Sequence, residues 1–570
     1  MPRPGTDRGL QLVWFKRDLR IADHEPLALA ASRGPVAALY VHEPSLLRSP
    51  EFDPCHLDFI QDCLAELRDA LARIGCPLLI RTGECPEVLQ DLHRSYGVRT
   101  LWSHEETGLE ITYARDRRVG AWCRSQGIEW REIPQCGVIR RLRSRDGWAR
   151  RWELRMSRPL VSPPPRVRTL EALRDLTAVA ASHPLLARAE LGLPGPRRPE
   201  AWRGGEALAH QTLQSFLRQR GVDYRRQMSS PVTSFDACSR LSPYLAWGAI
   251  SLRTVHQACE SRLRELRELR EPREAGDRAD GGLAVDSRWF ASLRSFSARL
   301  RWHCHFMQKL EDEPRIEFEN FSRAFDGLRE QDVDPARLEA WCAGRTGYPM
   351  VDACMRALHA GAWIHFRMRA MLVSFAAHHL WLHWRAFAPY LARQFLDFEP
   401  GIHYSQVQMQ SGTTGINTLR IYSPVKQALD QDPEGRFIRR YVPELEAVPL
   451  QYLAQPHTMP ASLQQRTGVL IGRSYPEPIV EHLIAYRAAR ERIAALRRTP
   501  QARAEADRVQ ARHGSRRSGL PQTPRRAAPR PAPRGQPAQL CLWDAPEALD
   551  DESARSAGAQ HGQERGQQES

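Results

Sequence analysis

Short, nearly uninterrupted apolar runs alternate with amphipathic stretches along the first 135 or so residues. LQLVWF (10–15), VAALYVHE (36–43), PLLIRTG (77–83) and VRTLWSHE (98–105) are apolar at successive positions, the pattern of strands covered on both faces. Helical spacing fills the intervals 54–75 and 86–96. That alternation predicts an α/β domain with a parallel, Rossmann-like sheet over 8–136. The first strand runs into a basic turn, FKRDLR, and not into GxGxxG, so the dinucleotide fingerprint is absent.

Residues 137–205 break the rhythm. Arg140, Arg141, Arg143, Arg145, Arg150 and Arg151 crowd together and PPP follows at 163–165, which predicts an interdomain linker lying on the surface. From 206 to 496 the spacing is helical almost throughout, predicting a second, all-α domain. Pro349 in GYP is placed to open a helix and Gly361 to end it. A following helix over about 364–386 is apolar on several faces and must be buried. The 497–570 tail is rich in Arg and Pro before its charge reverses, and its low complexity predicts disorder.

The formal net charge is +15, which favours a polyanionic partner, nucleic acid first, although free use of Arg alone produces the same balance. The 12 Cys are scattered without CxxC pairs or zinc spacing, the usage of a reducing cytoplasm. The basic MPRPGTDRG followed by a short strand-like run is not expected to act as a signal peptide, and no stretch approaches the ~20 apolar residues of a membrane span. His379 and His383 stand four residues apart, but no third ligand accompanies them and no metal is expected.

Residues 341–424 depart most from an ordinary core. WCAGRTGYPMVDACMRALHAGAWIHFRMRAMLVSF leads through Trp384 and Asp397 into TLRIYSP, setting tryptophans, arginines and isolated carboxylates among apolar helical residues. A buried, charged and redox-capable cofactor would require that mixture.

These motifs, together with VWFKRDLRIADHEPL (13–27) and SRLSPYLAWGAIS (239–251), closely resemble the photolyase/cryptochrome flavoproteins, in the same order over about 10–490. The resemblance implies an antenna-type α/β domain and a helical domain enclosing FAD. It carries Arg369 and Asp397 over as an ion pair beside the flavin, followed by Phe398 and by Glu399 where relatives usually have Asp. Cys238, Ser239, Leu241 and Ser242 match the segment that holds the FAD phosphates, and Tyr224 a tyrosine lying against the cofactor. Trp302 and Trp363 match walls of a cavity for a flipped base pair, and Trp384 the middle member of an electron-transfer chain. Arg367, Arg420 and, more weakly, Lys426 match groups that meet DNA phosphates.

Three departures bear on activity. Phe366 and Ala370 stand where relatives repairing (6-4) lesions carry histidines, and His365 should project from another side of its helix. GIHYSQVQMQ (401–410) replaces the stretch that normally faces flavin N5, leaving Gly401, Ile402 or His403 for that place. Gln331 occupies the distal tryptophan position, so Trp381, Tyr404 or Trp363 is left to complete an electron route.

The implied function is blue-light-driven, FAD-dependent repair of pyrimidine dimers in DNA, a carbon–carbon lyase activity. The alternative is a cryptochrome-type receptor that signals without repair. A second antenna chromophore of folate or deazaflavin type is implied but not identified by SHEETG (103–108). A monomer is expected. Within the tail, QLCLW (Gln539–Trp543) resembles the peptide by which bacterial repair proteins dock on the sliding clamp.

Overall fold

The computed structural model describes residues 9–270 and 286–514. Five parallel strands, β1 (Leu10–Phe15), β2 (Val36–His42), β3 (Leu78–Thr82), β4 (Val98–His104) and β5 (Glu129–Ile133), form one sheet in the order β3-β2-β1-β4-β5. Every residue of β1 and β2 is buried, which is why both read as unbroken apolar runs. The helices α1 (Glu25–Arg33), α2 (Pro54–Arg73), α3 (Cys85–Tyr96) and α4 (Glu110–Ser125) cover the sheet. Asp53 caps α2 by accepting from the Cys55 amide, while the Asp53 amide donates to His56 Nδ1. The fourth helix and fifth strand extend the alternation beyond the elements read from sequence.

The 137–205 stretch is less of a surface linker than its composition implies. It contains α5 (Trp148–Met156), whose Trp148, Trp152 and Met156 enter the central hydrophobic cluster. Its arginines remain near solvent, with the exception of Arg145, which is buried against Asp312 at 2.9 Å.

The second domain is helical as expected. Its longest members are α6 (Leu252–Arg270) and α7 (Arg288–Asp312), followed by α8 (Pro349–Gly361), α9 (Phe366–Ser374), α10 (Trp384–Gln394), α11 (Pro400–Ser411), α12 (His482–Arg497) and α13 (Pro500–His513). The helix expected over 364–386 is divided. After α9 comes one π-type turn, Phe375–His379, and Trp381 then takes φ 56°, so α10 starts afresh at Trp384. Trp381 is held there between the Arg329 and Arg492 guanidiniums, 4.5 and 4.8 Å from its ring.

The tail also orders further than its composition predicts. Ala502, Val509 and His513 bury one side of α13, and His513 pairs with Glu313 beyond the end of α7. The 515–570 remainder, with the Gln539–Trp543 peptide, lies outside the described residues.

The two domains meet around Asp18. Its carboxylate accepts from His24 Nε2 at 3.0 Å, His104 Nδ1 at 2.7 Å and the Lys16 amide at 2.7 Å. Burial alone would raise this acid, but the histidine hydrogen bonds hold it well below the ordinary carboxylate range. His24 Nδ1 accepts from the Leu27 amide, which fixes its proton on Nε2, so the triad is a satisfied structural cluster. Nearby, Arg17 lies 4.5 Å over the Trp247 ring and donates to the Ala246 carbonyl at 2.8 Å, joining the first strand's turn to the helical domain.

Candidate functional site

The helical domain encloses a cavity of about 250 Å³. The short helices and turns before α6 contribute Tyr224, Cys238, Ser239 and Ser242; the turn into α9 contributes Trp363 and the first turn of α9 Arg367. Arg369, Asp397 and Arg420 complete one side. These nine residues, far apart in the chain and singled out from sequence, thus share one enclosure.

Its electrostatic centre is Arg369. Nη1 and Nη2 donate to Asp397 Oδ1 and Oδ2, both at 2.9 Å, and Nε donates to the Ile364 carbonyl at 2.7 Å. The guanidinium also lies 4.3 Å from the Phe395 ring centroid. Such a bidentate pair makes a buried cation tolerable while leaving its outer face to a ligand. Tyr224 accepts from Arg299 Nε at 2.7 Å, and burial pushes its phenol up to about 12. Burial likewise pushes Cys238 up to about 12, so this position offers a neutral thiol.

At the cavity wall, Trp363 donates to Ser242 Oγ at 3.2 Å and packs 5.1 Å from Trp202. Arg367 reaches Ser229 Oγ at 3.4 Å, yet its buried Nε has no partner among the described residues. A donor left open in a cavity also bordered by Arg420 fits an anionic ligand. His365 lines the cavity but is committed: it donates from Nε2 to the Ser229 carbonyl at 2.8 Å and accepts from Ser234 Oγ at 3.1 Å. Burial lowers it to about 3, which favours the neutral imidazole.

Other sequence-selected residues fall elsewhere. Leu241 is buried in the core beside the phosphate-type segment and does not line the cavity. Trp302 packs against His305 and Phe306, at 5.2 and 5.8 Å, away from the lining. Lys426 is exposed and pairs with Asp430 at 2.9 Å on its own helix. Glu399 turns to His303 at 3.5 Å in a separate cavity. His403 points towards α10 and donates to the Ala388 carbonyl at 2.9 Å. Neither Gly401 nor Ile402 lines the cavity. The cause is close packing: a Cβ on Gly401 would stand 2.6 Å from the Met307 Cα, so α11 lies directly on α7.

Trp384 is fully buried and donates to Asn320 Oδ1 at 2.7 Å. Its ring is 6.0 Å from Tyr404, whose hydroxyl donates to Glu51 at 2.8 Å. Gln331 is exposed. His379 and His383 diverge at the π-type turn, His379 towards His482 at 2.8 Å and His383 towards Glu330 at 3.6 Å.

A second cavity, of about 110 Å³, opens at the carboxyl ends of β1 and β2. Trp14, Tyr40 and Phe52 give it aromatic walls, and Phe398 closes the side facing the helical domain. His42 Nε2 and Glu43 Oε2 border it without partners among the described residues, a polar edge suited to a ligand. Burial lowers His42 to about 4, leaving a neutral imidazole. Sequence reasoning selected only Phe398 of these residues, and assigned it to the other site.

A parallel-sheet domain docked on a helical domain with a large, cation-lined cavity defines a two-domain cofactor-binding protein. Residues 11–141 match the family described as DNA photolyase, and residues 296–495 the FAD binding domain of DNA photolyase. The chain is 30% identical over 502 residues to a deoxyribodipyrimidine photo-lyase of Halobacterium salinarum, covering 83% of this chain and 96% of the relative. It is 28% identical to cryptochrome-1 of Sinapis alba, covering 82% and 93%. The crystal structure of a class III photolyase from Agrobacterium tumefaciens superimposes with a TM-score of 0.72 at 25% identity, covering 87% of this chain and 99% of that one. The chain belongs to the photolyase/cryptochrome family.

Proposed function

We propose that the protein is a light-driven, FAD-dependent enzyme that splits pyrimidine dimers in DNA. The observation that carries this reading is the cavity itself: an interior ion pair, Arg369–Asp397, with Arg367 and Arg420 along the lining. Bound FAD, reduced and excited by blue light, supplies the electron that opens the dimer. The chain's part is to hold, orient and exclude water. Arg369 would present fixed positive charge to a bound flavin without a reorganisation cost, because Asp397 already positions it. Ser239, Ser242 and the thiol of Cys238 border the phosphate end, with Arg367 Nε as an open donor. Arg367 and Arg420 also stand to meet the backbone of a strand whose lesion is flipped inward. The second cavity, with its aromatic walls and unpartnered His42 and Glu43, suits a planar antenna chromophore.

A signalling photoreceptor is the competing reading, favoured by His403 turned away from the cavity and by exposed Gln331. FAD-loaded, reduced protein illuminated with DNA carrying cyclobutane or (6-4) lesions separates the two. Light-dependent loss of either lesion is expected. Intact lesions beside a normal flavin spectrum would overturn repair and leave the receptor.

A further inference from the structure

A third cavity lies between the domains, bordered by Arg17, Cys136, His303, Met307 and Glu399. Half-buried Cys136 opens onto it from the segment just after β5. Cys304, fully buried on α7, accepts a hydrogen bond from the Gly137 amide at 3.3 Å, which brings its sulfur to the backbone beside Cys136. Cys304 Sγ also lies 3.9 Å from Nδ1 of His303, which borders the same cavity as Cys136. Other bonds hold the seam in register: the Ile139 amide donates to Gln308 Oε1 at 2.8 Å, and Gln308 Nε2 donates to the Ile139 carbonyl at 2.9 Å. Arg155 fixes the same segment by donating to the Cys136 carbonyl at 2.8 Å. The two cysteines are therefore neighbours across a clamped interface.

We propose that Cys136 and Cys304 form a reversible dithiol site, oxidised to a disulfide by hydrogen peroxide and restored by a thiol reductant. The environment assigns the order of events. The neighbouring Cys304 thiol lowers Cys136 against the effect of burial, with His303 adding positive charge nearby. Burial opposes protonation of His303, but the Glu399 carboxylate 3.5 Å away outweighs that and raises it. Burial, followed by the neighbouring sulfur, pushes Cys304 well up. Cys136 thus attacks as thiolate: its sulfur forms a bond to one peroxide oxygen, the O–O bond breaks, and hydroxide leaves to take up a proton as water. Cys304 then attacks the sulfenic sulfur of Cys136; the S–O bond breaks and the departing hydroxide takes the Cys304 proton, giving a second water. Two thiols are oxidised and one peroxide is reduced. Cys55, Cys63, Cys76 and Cys85 lack this activation, each being pushed up by burial. The disulfide would tie the end of the α/β domain covalently to α7, the helix that also carries Arg299 into the cofactor cavity.

The test is a peptide map of the full chain after stoichiometric hydrogen peroxide, with free thiols blocked by N-ethylmaleimide under denaturing conditions. The expected result is loss of labelling at Cys136 and Cys304 together, and one non-reduced peptide pair joining them that disappears with dithiothreitol. Sulfinic acid on Cys136 with Cys304 still fully labelled overturns the proposal, as does full labelling of both. The unsubstituted chain decides the pairing by itself. Cys136→Ser then tests the order: Cys304 is expected to stay reduced, and its oxidation at the original rate would overturn Cys136 as the attacking sulfur.

Discussion

Replacing Asp397 by Asn removes one charge from the centre of the cofactor cavity and little volume. The Asp397 side chain is 5% exposed and that of Arg369 20%, so the pair is largely desolvated. The carboxylate takes two of the guanidinium's hydrogen bonds, at 2.9 Å each, while the Ile364 carbonyl takes a third. An amide returns one acceptor but sets its NH2 against a group that can only donate. Breaking a buried pair from one side costs about 3–5 kcal/mol because the partner charge stays behind. Partial exposure of Arg369 and its contact with Phe395 place this case at the lower end, about 3 kcal/mol. A surface pair would be worth less than about 1 kcal/mol.

Urea titrations at a fixed free FAD concentration measure this, since unequal ligand occupancy would itself shift the midpoint. Asp397→Asn and Arg369→Met should each lower stability strongly. The double change Arg369→Met/Asp397→Leu leaves no stranded charge, so it should lose markedly less than the summed single changes. Additive losses, or an Asp397→Asn loss under about 0.5 kcal/mol, would refute a buried, coupled pair.

Burial pushes the Glu317 carboxyl from 4.5 to about 7, against a hydrogen bond from the Glu110 amide and with Glu51 and Glu110 adding negative charge. A carboxyl raised in the fold contributes stability that is full below its unfolded pKa and is lost as pH rises to about 7, at most about 3 kcal/mol. Glu317→Gln should therefore gain on the parent across that window, and parallel stability–pH curves would contradict it. Gly401→Ala places a methyl 2.6 Å from the Met307 Cα, and should cost about 1–3 kcal/mol with weakened FAD retention, read by denaturation and by filter-retained flavin absorbance. If Arg367 and Arg420 contact DNA phosphates, changing each to Gln should reduce the slope of log affinity against log salt by about 1, while Lys426→Gln leaves it unchanged. Equal slopes for all three would remove the first two from the interface.

How much of this was readable in advance follows from where each signal resides. Strands β1 and β2 are buried along their whole length, so composition alone marks them. Helix α8 begins at Pro349, whose fixed φ suits the first helical turn, while the left-handed cap after Gly361 falls on Ala362 at φ 57°. The break between α9 and α10 has no such mark. Residues 368–382 are buried at every position but Arg369, so no amphipathic phase shows where one helix stops, and a positive φ at Trp381 is sustained by two distant arginines. The cavity divides in the same way. Motifs with a fixed local geometry, such as Cys238–Ser242 and Trp363–Arg369, brought most of their predicted members to its wall. Glu399 and His403 fall outside that lining because their directions depend on how α11 meets α7, a contact set by a bare Cα at Gly401 against the Met307 backbone. The aromatic cavity of the α/β domain was invisible for a stronger reason. Its walls come from chain segments around Trp14, Tyr40, Phe52, Glu106 and Phe398, which are neighbours only after the sheet has closed on the helical domain.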